Sequence, residues 1–118
     1  MLRVVVSGAE GRTGRRLLAK LQGLPEVGGV VIVDASSPAA ELKPAFEGAD
    51  VFVHLGFATT IGPVLDAASS ASLTSLVYRS SASVYGAWAD NRVPLTEDVA
   101  LRPNPGFTFA IEHAEAER

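Results

Sequence analysis

Gly8, Gly11 and Gly14 stand three apart between an apolar run, Leu2 to Ser7, and a run of helix-forming residues, Arg15 to Leu21. Glycines in a strand-to-helix turn suit one kind of chemistry above others, the close approach of a phosphate or pyrophosphate to backbone. The first permits a tight turn, the second leaves room for the anion, and the third lets helix and strand pack closely. The helix start adds free N–H groups and a partial positive charge. Arg12 and Thr13 lie inside the same turn and join the three glycines as candidate binding residues. Asp34 ends the next apolar run, Val30 to Val33, twenty residues after Gly14, near the offset at which a carboxylate takes ribose hydroxyls. Each signal has a plainer alternative. The glycines can be a structural turn, and Asp34 can simply open a turn with Ser36, Ser37 and Pro38.

Elements must hold these residues in place. The runs Leu2 to Ser7, Val30 to Val33, Asp50 to Gly56 and Leu73 to Tyr78 read as strands. Helix-compatible stretches follow the first three, at Arg15 to Leu21, Ala39 to Phe46, and Val64 to about Ser72 after a break at Gly62-Pro63. Continuous apolar strands alternating with helices predict a parallel sheet covered on both faces, a three-layer α/β Rossmann-like domain. Gly86 to Gly106 reads as a long irregular segment. Asn104-Pro105 reads as a helix cap, and the last helix runs from about Phe107.

Length and composition bound the function. The 118 residues fit one domain, 47% hydrophobic and 19% charged, with net charge −3. No basic stripe exists, which argues against a nucleic-acid binder. The absence of cysteine removes disulfides, thiolate metal sites and a cysteine nucleophile, and no metal-ligand cluster is expected. No apolar stretch approaches spanning length, so no membrane partner is expected and a cytoplasmic location is.

Beyond the glycine turn, Gly48-Ala49-Asp50-Val51-Phe52-Val53-His54-Leu55-Gly56, Val77-Tyr78-Arg79-Ser80-Ser81-Ala82-Ser83-Val84-Tyr85-Gly86, Pro94-Leu95-Thr96-Glu97-Asp98 and Leu101-Arg102-Pro103-Asn104-Pro105 occur in that order. Together they resemble the NAD-dependent epimerase/dehydratase group of extended short-chain dehydrogenases/reductases. The resemblance implies a Rossmann fold with the strand order second, first, third, fourth. It also implies a bound nicotinamide cofactor and hydride transfer assisted by Ser or Thr, Tyr and Lys. Gly8, Gly11, Gly14 and Asp34 match cofactor positions, with NAD expected over NADP, and Ser81 matches the catalytic serine. Phe109 and His113 stand where the family has its tyrosine and lysine. Phenylalanine has no proton to exchange, and His113 lacks the long reach and permanent charge of lysine. The segments between Asp34 and Asp50 and between Ala58 and Ile61 are trimmed, and the family continues past the position of Arg118 into its substrate lobe.

Three functional readings follow. The first is a nicotinamide-dinucleotide-binding domain with weak or absent redox catalysis. The second is a pseudoenzyme or accessory protein that uses the fold for association. The third is a small non-redox enzyme using Ser81 or His113 on a small-molecule substrate. Trimming leaves Val30 to Val33 and Leu73 to Tyr78 as sheet edges, so a homo-oligomer or a partner protein is expected. The favoured seam is the last helix, with its small apolar face of Ala110, Ile111 and Ala114. His54 reads as a hydrogen-bonded core histidine, and Tyr85 and Glu97-Asp98 as packing and turn residues. Phe57 and Trp88 are aromatic residues that line a pocket or cover a core edge.

Overall fold

The computed structural model describes residues 1–69 and 71–118, which fall into two compact units, 1–79 and 80–118. In the first, β1 (Leu2–Ser7), α1 (Arg12–Gln22), β2 (Val27–Val33), α2 (Ala39–Phe46), β3 (Val51–His54), α3 (Ile61–Ala68) and β4 (Ser75–Tyr78) follow one another, with a 3-10 turn at Ala58–Thr60 before α3. All pairings are parallel and the sheet order is β2-β1-β3-β4, the order that the resemblance implied.

Alternation along β1 builds the three layers. Val4 and Val6, with Val53 of β3, turn to one face, where Leu17, Leu18 and Leu21 of α1 pack against them. Val5 and its register partner Phe52 turn to the other, where the Phe46 ring of α2 meets Phe52 edge-on at 5.0 Å. Both faces of the central strands are therefore buried, as crossover helices require.

Two boundaries differ from the sequence reading. Gly62-Pro63 does not break the chain but lies in the first turn of α3. Proline is tolerated there because the first-turn amides have no intrahelical acceptor. β2 begins at Val27 and takes in Gly28 and Gly29. The expected extension of α3 to Ser72 crosses Ser70, which lies outside the described residues.

The second unit contains a 3-10 turn at Ala82–Tyr85 and α4 (Thr108–Glu117). Asn104 does not cap α4, which is preceded by Phe107. Its side-chain oxygen instead accepts the Ala87 N–H at 2.7 Å, 17 residues back in the chain. Arg102 organises the segment between: its guanidinium pairs with Asp90 at 3.0 Å, lies over the Trp88 ring at 5.5 Å, and its carbonyl accepts from Trp88 Nε1. Trp88 is thus held in its own loop. Thr96 donates to Asp98, so that carboxylate serves a turn. No helix among the described residues is long and apolar enough to cross a membrane.

Candidate nucleotide cleft

Parallel register puts the last residues of all four strands in one row, Val33, Ser7, His54 and Tyr78. The next residues, Asp34, Gly8, Leu55 and Arg79, therefore leave the sheet along the same carboxyl edge, where open α/β sheets place ligands.

The glycine turn has the geometry that its spacing suggested. Gly8 has φ +76°, and a Cβ there would collide with backbone, lying 2.6 Å from the Leu55 carbonyl carbon. A Cβ at Gly14 would lie 2.5 Å from Ala9 Cα, so that glycine lets α1 pack onto the turn. At Gly11 a Cβ would meet nothing within 4 Å, although Gly11 is the N-cap of α1 and has no side chain to cap it. The first helical amide with a backbone acceptor is that of Arg15, bonded to the Gly11 carbonyl at 3.0 Å. The amides before it, from Arg12, Thr13 and Gly14, occupy the orphan positions of a helix start. No acidic residue occupies that first turn, and the open space beside Gly11 adjoins the positive helix end.

Asp34 opens the turn that its plainer reading expected. Oδ1 accepts the Ser36 hydroxyl at 2.6 Å and the Ser36 N–H at 2.9 Å, and Ser37 N–H bonds the Asp34 carbonyl at 3.0 Å, which is the turn. The Ser36 hydroxyl first, and its N–H second, hold the Asp34 carboxyl below its ordinary pKa. Those bonds use Oδ1 and leave Oδ2 for a ligand, on an exposed side chain at the cleft.

The cleft encloses about 160 Å³ and is lined by Gly8, Glu10, Asp34, Ala35, Ser36, Gly56, Phe57 and Thr60. Phe57 settles as a lining residue, since it is 76% exposed and covers no core. His54 behaves as the core histidine expected: fully buried, it lies 2.6 Å by Nδ1 from the Ser7 hydroxyl and 2.9 Å by Nε2 from the Phe57 carbonyl. A carbonyl only accepts, so Nε2 carries the proton, and in the neutral ring Nδ1 accepts from Ser7. The ring also stacks on Tyr78 at 5.8 Å. Glu10 and Thr60 line the cleft without having been singled out in the sequence. Glu10 sits between two of the motif glycines and Thr60 follows Phe57 by one turn of chain, which is the only signal either gave.

The remaining two candidates belong to the second unit. Ser81 caps the Ala82–Tyr85 turn, accepting the Ser83 N–H at 3.2 Å, and its hydroxyl bonds that of Ser83 at 2.7 Å. His113 is buried on α4 at 5% exposure, with the Phe109 ring edge-on at 4.5 Å. The shared helix face of Phe109 and His113 is thus as the four-residue spacing requires. Among the described residues no three His, Asp or Glu side chains gather as a metal site.

No protein-family model matches the sequence, and no curated protein sequence matches it significantly. Solved structures do. A short-chain dehydrogenase/reductase superfamily protein from Agrobacterium tumefaciens with bound NAD superimposes with a TM-score of 0.74 at 28% identity, over 98% of this chain and 43% of that one. UDP-N-acetylglucosamine 4-epimerase from Bacillus cereus gives 0.79 at 14% identity, over 99% and 51%. MoeE5 in complex with UDP-glucose and NAD gives 0.75 at 22% identity, over 98% and 47%. The chain spans about half the length of the structures that it matches.

Proposed function

We propose that this chain, which has the Rossmann-type fold of NAD-binding short-chain dehydrogenase/reductase structures and resembles their epimerase/dehydratase group, binds a nicotinamide dinucleotide. The observation that carries the reading is the open space at Gly11 beside uncapped amides, with the free oxygen of Asp34 at the same sheet edge. Gly8, Gly11 and Gly14 shape the cradle, the amides of Arg12 and Thr13 meet a pyrophosphate, and Asp34 accepts ribose hydroxyls. The nicotinamide ring supplies hydride chemistry when such a cofactor is bound. This chain's own contribution is to bind and orient the adenosine half. A phenol and an ammonium are missing at Phe109 and His113, so redox catalysis is weak or absent. The chain acts as one nucleotide-binding domain, in the cytoplasm, on no nucleic acid and no membrane.

Calorimetry with NAD, NADP and ADP-ribose tests this. NAD binds with a dissociation constant on the order of 10 μM or weaker, about −7 kcal/mol or less, and at least about tenfold tighter than NADP, because the Asp34 charge opposes a 2′-phosphate. Asp34→Asn keeps the Oδ1 turn and removes the charge, so the preference for NAD narrows to near parity. The depressed pKa of Asp34 keeps the carboxylate ionised at neutral pH. Its effect on binding is therefore constant above the ordinary carboxylate range and is lost only as pH falls through the depressed value. No heat at millimolar NAD overturns the proposal.

A second reading, an accessory protein that uses the fold for association, draws on the sheet edges. Leu76 and Val77 of β4 are 49% and 51% exposed and Ile32 of β2 is 58% exposed. On α4, Ala110 and Ala114 are fully buried within the chain while Phe109 is 48% exposed, so the two alanines of the seam expected from the sequence are not available to a partner. Strand pairing therefore becomes the favoured mode of self-association. Light scattering at tens of micromolar gives a mass above the monomer, and Val77→Arg restores the monomer. A monomer in the unmodified protein removes this reading.

A further inference from the structure

From the cleft we infer that Phe57 is a stacking platform for the base of the bound nucleotide, so that the adenosine half of the ligand carries most of the affinity. The inference rests on the nucleotide reading above and adds a residue and a binding mode to it.

Three observations support it. The first is exposure: 76% of the Phe57 surface stands in solvent, so the side chain is open to a partner, and an aromatic ring favours offset stacking with another planar ring. The second is position. Phe57 lines the same cleft as Asp34 and Gly8, so a ribose held at Asp34 places its base within the space that Phe57 borders. The third is anchorage, because the Phe57 carbonyl accepts from His54 Nε2 at 2.9 Å, from the Thr60 hydroxyl at 2.7 Å and from the Thr60 N–H at 3.2 Å. Through His54 and Ser7 this carbonyl is tied to the end of β1. A backbone fixed from three donors presents its ring at little further entropic cost, which is what a binding platform needs.

Volume sets the extent of the contact. Pockets that enclose whole small molecules run to roughly 300–1,000 Å³, and this cleft holds about 160 Å³. It takes a heterocycle and the edge of a sugar, not a full dinucleotide. ADP-ribose therefore binds within a fewfold of NAD.

The test compares the unmodified protein with Phe57→Ala and Phe57→Tyr, titrated by calorimetry with ADP-ribose and with ribose 5-phosphate as a ligand without a base. Phe57 covers no core, so Phe57→Ala keeps its thermal midpoint. Base-aromatic stacking is worth enough that Phe57→Ala weakens ADP-ribose by about tenfold or more. Phe57→Tyr stays near the original value, and ribose 5-phosphate is unaffected by either change. In proton NMR, ring-current shifts of the adenine H2 and H8 signals appear with the unmodified protein and vanish with Phe57→Ala. Unchanged ADP-ribose affinity in Phe57→Ala overturns the platform and leaves the nucleotide reading standing. Failure of the unmodified protein to bind either NAD or ADP-ribose overturns both.

Discussion

Gly14→Val is expected to be strongly destabilised, whereas Gly11→Val folds and loses its nucleotide. The two glycines are three residues apart and identical in chemistry, so the contrast isolates geometry. At Gly14 even the first side-chain carbon falls 2.5 Å from Ala9 Cα. The obstacle is backbone, which cannot rotate away, and relief requires α1 to separate from β1 and from the leucines that it buries. A cost above about 3 kcal/mol follows, a large part of a small domain's total stability of about 5–15 kcal/mol. At Gly11 the added carbon meets nothing within 4 Å and φ is −79°, a value any residue adopts. The stability cost there is about 1 kcal/mol, because valine is a poorer N-cap than glycine. The side chain then stands where a pyrophosphate must come to reach the amides of Arg12 and Thr13. Losing two charge-assisted hydrogen bonds, at about 1.5–3 kcal/mol each, weakens NAD by roughly 100-fold or more. Denaturant titration and calorimetry on the two variants read both effects. Unchanged NAD affinity in Gly11→Val would sink the phosphate cradle.

The second large effect is an absence of rate. Incubated with NAD or NADH and a panel of sugar nucleotides and small ketones, the 118-residue chain gives no substrate-dependent change in NADH absorbance. The reason is proton transfer. Hydride movement to or from a carbinol carbon requires a group that takes or gives the hydroxyl proton within hydrogen-bond reach. The position that the resemblance assigns to that group is Phe109, which has no such proton. Installing the missing pair as Phe109→Tyr with His113→Lys does not restore the rate and lowers stability. Phe109 is half exposed and accepts a hydroxyl, but position 113 is 5% exposed, where an ammonium loses most of its hydration. Burial depresses the pKa of such a lysine, so the unfolded chain binds more protons than the folded one, and the stability deficit of the double variant shrinks as pH rises toward the free lysine value. A deficit independent of pH between 7 and 10, or NADH turnover by the unmodified chain, would contradict this account.

The sheet was legible in the sequence because each strand is an apolar run bounded by glycine, proline or a charge, and the parallel arrangement followed from both faces being apolar. The geometry of the glycine turn was equally legible, since it depends on residues that are near neighbours in the chain. What escaped depends on distant residues. Asn104-Pro105 has the composition of a helix cap, yet the Asn104 side chain is claimed by an amide at Ala87. Gly62-Pro63 reads as a break, but proline costs a helix nothing in its first turn. The Phe57 backbone is anchored through His54, whose ring nitrogens bond Ser7, 47 residues away, and the Phe57 carbonyl. A loop aromatic alone does not reveal which way it faces. The burial of the small face on α4 was hidden for a related reason: alanines at helical spacing mark a small face, but only the fold shows that Ala110 and Ala114 are buried within the chain.

The place of β1 between β2 and β3 bears on how this protein is born. A ribosome makes β1 first, but the strand acquires its second neighbour only when Val51–His54 has been added. At about 5–20 residues per second, Val4, Val5 and Val6 wait several seconds during translation with one hydrogen-bonding edge unpaired, and they are among the most buried residues of the finished chain. Pausing between codons 34 and 50 prolongs that interval. Synonymous changes that slow this stretch should therefore lower the yield of soluble protein without altering a single residue.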